Sequence, residues 1–93
     1  MMNRVVVTGL GAVTPVGNDV AAMWQALLAG RSGVGRIQAF DPGAFESQIA
    51  GEVKGFDPAA YLSPKDIRRS ERFVQFAIAA SKQAAKDAGL SVD

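Results

Sequence analysis

The chain has 93 residues, hydrophobic content of 48%, charged content of 20% and a formal net charge of +1. That length allows at most one small domain, which buries only roughly 60 to 65 per cent of its unfolded surface, and that charge gives no general attraction to nucleic acid or membrane. Cysteine and histidine are both absent, which removes disulfides, Cys/His zinc sites, thiol nucleophiles and imidazole bases together.

Val5, Val6 and Val7 form a β-branched run without polar alternation, the pattern of a strand buried on both faces inside a parallel sheet. Gly9, Gly11, Pro15 and Gly17 make the following loop. Asn18 is then expected to cap a helix that begins at Asp19. Strand, glycine-rich turn and helix give an α/β opening, and this invites a phosphate-binding reading. The dinucleotide pattern G-x-G-x-x-G needs glycine at position 14, where Thr14 stands. A T-G-x-x-x-G-x-G turn fails at Val13 and Pro15, and no G-x-x-x-x-G-K-[ST] occurs. Nucleotide binding is left as a minor alternative.

The first helix is expected from about Asp19 to Ala29, with Val20, Trp24, Leu27 and Leu28 in one apolar stripe and Gly30 as a left-handed cap. Trp24 reads as core. From Arg31 to Tyr61 periodicity weakens; Ile49, Gly51 and Val53 alternate with Gln48, Ala50 and Glu52, which predicts a short half-buried strand. Phe-Asp-Pro occurs at Phe40 and again at Phe56, and Asp57 with Pro58 predicts a single helical turn ending near Leu62.

A second helix is expected from about Pro64 to Ala88. Ser63, Pro64 and Asp66 read as N-cap, first helical position and an acidic variant of the capping box, and Gly89 with Leu90 as the terminating cap. In FVQFAIAA, from Phe73 to Ala80, only Gln75 is polar, so this helix should be buried on all sides. One short helix and one weak strand cannot cover it. The sequence therefore reads as a piece of a larger layered α/β structure.

Lys65, Arg68, Arg69 and Arg72 fall on one face of that expected helix. Cations near a helix N-terminus are unfavourable by roughly 0.3 to 1 kcal/mol each, which calls for a reason. Local pairing, with Asp66 reaching Arg69, and an anion or acidic-protein dock are both open. Nucleic acid is a weaker candidate.

TGLGAVTPVGND, followed by Trp24, Leu27, Leu28 and GRSGVG, resembles the opening of the β-ketoacyl-acyl carrier protein synthases. The likeness continues through FDPAAYLSPKDIRRSERFVQFAIAASKQAAKDAGL and is nearest to the type II elongating enzymes of fatty acid synthesis. The resemblance implies a thiolase-like layered αβαβα fold. Residues 1–93 would then be the N-terminal portion of its N-terminal domain, a fragment rather than an independent domain. The chain would hold the first buried strand, two main helices and a weak short strand.

The resemblance also implies decarboxylative Claisen condensation of malonyl-carrier protein with an acyl thioester. Members of the family use a cysteine thiolate and two histidines for this, none of which is present here. The resemblance therefore gives no catalytic residue to this chain, and no cofactor or metal. Lys65, Arg68 and Arg69 match basic positions that receive the acidic helix of acyl carrier protein. A homodimer is expected for the complete protein; the cytoplasm is the default location, because the first apolar run is too short for an export signal, and neither a membrane nor a nucleic-acid partner is expected at this charge. The alternative is a non-catalytic carrier-protein-binding module or a chain-length-factor-like subunit.

Overall fold

The computed structural model describes residues 2–91. They contain α1 (Val20–Leu28), β1 (Val34–Arg36), β2 (Ile49–Gly51), a 3-10 turn (Pro58–Ala60), α2 (Pro64–Arg69) and α3 (Arg72–Asp87). Two compact units divide the chain: Val13–Phe56, and Met1–Ala12 together with Asp57–Asp93.

In the unit Val13–Phe56, Pro15 lies in a tight turn closed by Thr14. The Thr14 amide donates to the Gly17 carbonyl at 2.8 Å, and the Thr14 hydroxyl donates to the same oxygen at 2.9 Å. The helix that follows is capped one residue later than expected. Asp19, in extended conformation, accepts from the Ala22 amide at 2.7 Å. Asn18 instead donates from Nδ2 to the Lys54 carbonyl at 2.8 Å, a long-range tie that local pattern does not reveal. Asp19→Ala is expected to cost about 1 kcal/mol, the usual worth of an N-cap. Chemical denaturation checks this, and a loss under about 0.3 kcal/mol would remove the cap at Asp19.

Gly30 ends α1 in the left-handed region at φ 68°, as expected. The apolar stripe is less covered than expected: Trp24 is 55% exposed, and only Ala26 of this helix is buried. The expected strand near Ile49 exists as β2, but its facing is reversed, with Ile49 exposed and Ala50 half-buried. It pairs antiparallel with β1 in the register Val34↔Gly51, Gly35↔Ala50 and Arg36↔Ile49. No sequence expectation corresponds to β1, because Val-Gly-Arg carries no strand signal. The Glu52 carboxylate accepts from the amides of Gln38 and Ala39 at 2.8 and 3.0 Å, which fixes the exit from β1.

In the other unit, Val5–Val7 do not form a strand. Val5, Val6 and Val7 are 91%, 57% and 79% exposed, and among the described residues no segment pairs with them. Sheet structure requires a neighbour's carbonyls and amides, so an apolar run alone cannot produce it. The loop beyond them is anchored by side chains of α3. The Leu10 amide donates to Asp87 Oδ2 at 3.0 Å, and the Ala12 amide to Gln83 Oε1 at 2.9 Å. Gly9 and Gly11 let the backbone approach this helix. A Cβ on Gly11 would stand 1.9 Å from the Ala80 carbonyl oxygen, and one on Gly9 2.3 Å from that of Ala84.

The single helix expected from Pro64 to Ala88 is two helices. Ser70, at φ −116° and ψ 148°, is extended, so the axis breaks there and restarts at Arg72. Nor is the FVQFAIAA segment buried all round: Ala79 is fully buried and Gln75 5% exposed, whereas Phe73 is 68% exposed. The cover that its apolar residues call for is not supplied by the described residues. Asp57 caps the 3-10 turn by accepting from the Ala59 amide at 3.0 Å, and Gly89 terminates α3 at φ 73°, both as expected.

Candidate functional site

The helix break alters the basic cluster. Ser63 caps α2 by accepting from the Asp66 amide at 3.2 Å, and Pro64 occupies the first turn, where its missing N–H has no cost. The serine half of the capping box is formed. Because α2 ends at Arg69, both Arg68 and Arg69 lie in its last turn. There a cation is favoured by the exposed carbonyls rather than opposed by the amides, and the electrostatic objection to these arginines disappears.

Arg72 leaves the cluster. It opens α3, with its guanidinium carbon 4.9 Å from the centroid of the Phe76 ring. Lys65, Arg68 and Arg69 remain, all exposed, and among the described residues none forms an ion pair; of the two open readings, the local pairing of Asp66 with Arg69 is not made. Three cations in two turns, none paired with the neighbouring Asp66, present a net positive charge to an anionic partner. Long exposed side chains of this kind steer encounter and set the on-rate more than they add buried contact.

One buried group next to this cluster carries no sequence expectation as a site. Gln75 of α3 places its amide nitrogen 3.3 Å from the Ile67 carbonyl, 3.3 Å from the Ser70 carbonyl and 3.4 Å from Ser70 Oγ. As the one polar residue of FVQFAIAA, it was the available signal. Elsewhere in this unit, Tyr61 accepts at its carbonyl from Lys82 Nζ, and its hydroxyl accepts from Gln83 Nε2 at 3.0 Å. A concavity of about 690 Å³ follows the end of α3 between Lys82, Lys86 and Leu90.

Residues 2–93 match the family model described as Beta-ketoacyl synthase, N-terminal domain. The chain is 56% identical over 90 residues to the 3-oxoacyl-[acyl-carrier-protein] synthase 2 of Coxiella burnetii, and 52% identical to that of Vibrio cholerae. Each alignment takes in 97% of this chain and 22% of the relative, so the chain spans about a fifth of their length. Among solved structures it is similar to a β-ketoacyl synthase from Burkholderia phymatum, with a TM-score of 0.77 and 38% identity over 99% of this chain and 23% of that one. It is also similar to the ishigamide ketosynthase/chain length factor, with a TM-score of 0.79 and 36% identity over 92% of this chain and 21% of that one. Sequence and backbone agree over nearly all of these residues: the fold is that of the ketosynthases, and the chain belongs to the β-ketoacyl synthase family.

Proposed function

We propose that the chain is the opening part of a 3-oxoacyl-acyl carrier protein synthase that elongates fatty acids, and that it contributes scaffold and a carrier-protein dock. The 56% identity to a synthase of that name, across 97% of the chain, carries this reading. In the proposed reaction an acyl group rests on a cysteine thiolate supplied from outside these residues. Malonyl-carrier protein loses carbon dioxide, the resulting carbanion attacks the acyl carbonyl, and the thiolate leaves. The product is a 3-oxoacyl group on the carrier, longer by two carbons. No residue of this chain takes part in bond making, since the thiolate and imidazoles of the family mechanism have no counterpart in its sequence.

The role assigned to Lys65, Arg68 and Arg69 is to receive the acidic carrier protein and hold it while its thioester reaches the reacting centre. Their exposure and lack of local ion pairs support this role. The same proposal includes a homodimer acting in the cytoplasm; among the described residues no helix is long and apolar enough to cross a membrane. Condensation by the complete protein is the test. Mixed with acyl- and malonyl-carrier protein, it is expected to release carbon dioxide and form the 3-oxoacyl thioester. Binding of carrier protein without product would overturn the enzymatic reading.

A second reading is favoured by the likeness to the ketosynthase/chain length factor: a catalytically silent subunit that binds carrier protein beside an active partner. Alkylation of the complete protein with iodoacetamide separates the two. A single reactive cysteine that acyl substrate protects supports the enzyme, and none supports the silent subunit.

A further inference from the structure

Gln75 is the one buried polar side chain among the described residues, and it lies where α3 meets the turn that carries Arg68 and Arg69. A helix leaves the carbonyls of its last turn without intrahelical partners. At the end of α2 two of these are taken by side chains. Ser70 Oγ donates to the Asp66 carbonyl at 2.6 Å, and Gln75 Nε2 reaches the Ile67 carbonyl at 3.3 Å. The same nitrogen reaches the carbonyl and the hydroxyl of Ser70, the extended residue at the break. One amide group thus holds both sides of the α2–α3 elbow.

We propose that Gln75 is a positioning residue for the docking site. It fixes the last turn of α2 on α3 and so sets the directions in which Arg68 and Arg69 leave the surface. The inference rests on the docking role proposed for these cations. A break in a helix frees its first segment to swing, and Glu71 makes no side-chain cap at the start of α3. Without the Gln75 amide, the three cations keep their charge but lose their fixed arrangement. A partner would then meet a mobile patch and bear the ordering cost on binding.

The test uses the complete synthase and Gln75→Met, which keeps length and apolar volume but removes both N–H donors. The KM for carrier-borne substrate is expected to rise about three- to tenfold, in the range of coupling between contacting residues. The kcat, and the KM for the matching coenzyme A thioesters, should stay unchanged. In a Lys65→Glu, Arg68→Glu, Arg69→Glu background the Gln75→Met effect should vanish. Ser70→Ala, which removes one acceptor and the Asp66 tie, should give a smaller shift of the same kind, and it carries the test if Gln75→Met does not fold.

An unchanged carrier KM in both variants, with carrier binding still lost on charge reversal, overturns the positioning role and leaves the dock intact. Equal losses toward carrier and coenzyme A substrates show a merely structural role and also overturn it. If charge reversal has no effect, the docking reading fails at its own step, and the positioning role falls with it.

Discussion

Gly11→Ala is expected to destabilise the protein by about 3 kcal/mol or more, a large effect for one added methyl group. The new Cβ would lie 1.9 Å from the Ala80 carbonyl oxygen and 2.9 Å from both the Ala80 carbonyl carbon and the Ala84 amide. All three are backbone atoms of α3, so no rotamer change relieves the clash. The loop must move off the helix by more than an ångström. In moving it stretches the bonds from the Ala12 amide to Gln83 and from the Leu10 amide to Asp87, now 2.9 and 3.0 Å.

Gly9→Ala should behave similarly, and the double variant should lose less than the sum, because either change alone already separates the same two surfaces. Gly35→Ala is the control: nothing lies within 4 Å of its Cβ position and its φ is not positive, so the expected change is within about 0.5 kcal/mol. Denaturant midpoints at constant slope measure all four. A loss under about 1 kcal/mol for Gly11→Ala would show that the loop does not rest on α3 as described.

Reversing Lys65, Arg68 and Arg69 to glutamate in the complete synthase is expected to weaken carrier-protein affinity by about 100-fold at low salt. The change converts three attractive groups into three repulsive ones, and most of it should appear in the association rate. Raising ionic strength shortens the screening length to about 8 Å at physiological salt, so the gap between variant and parent should narrow as salt is added. Melting should change little, because all three side chains are exposed. Titration by fluorescence anisotropy against labelled carrier protein reads the result. Equal affinities at low salt would remove the dock and leave a solvated face.

Much of the local structure was legible, because it is set by chemistry within a few residues. Ser63 and Pro64 start α2, Asp57 caps its turn, and Gly30 and Gly89 end helices in the left-handed region. Lys65, Arg68 and Arg69 are exposed, as charged side chains of a short surface helix should be, and their docking role is the proposal made above. What was not legible depends on partners distant along the chain. The Val5–Val7 run has the composition of a strand and no strand beside it among the described residues, and Trp24 has the spacing of a core residue and no cover. Asn18 is a good cap that long-range bonding to Lys54 diverts, leaving the role to Asp19.

The break at Ser70 was hidden for a different reason. No glycine or proline marks it, and the cap signals at Ser63 and Gly89 bracket it with no stop signal between them. The lone glutamine in an apolar run was the trace it left. Gln75 satisfies carbonyls that lack intrahelical partners only because the helix stops.

The manner in which the glycine-rich loop is held has a consequence for how the fold can change. A strand's ladder joins main chain to main chain, and apart from proline no substitution can delete its bonds. Here the amides of Leu10 and Ala12 are received by the side chains of Asp87 and Gln83. Each fastening belongs to a codon of its own, so mutation can loosen, shift or re-tune the loop one bond at a time while α3 stays whole.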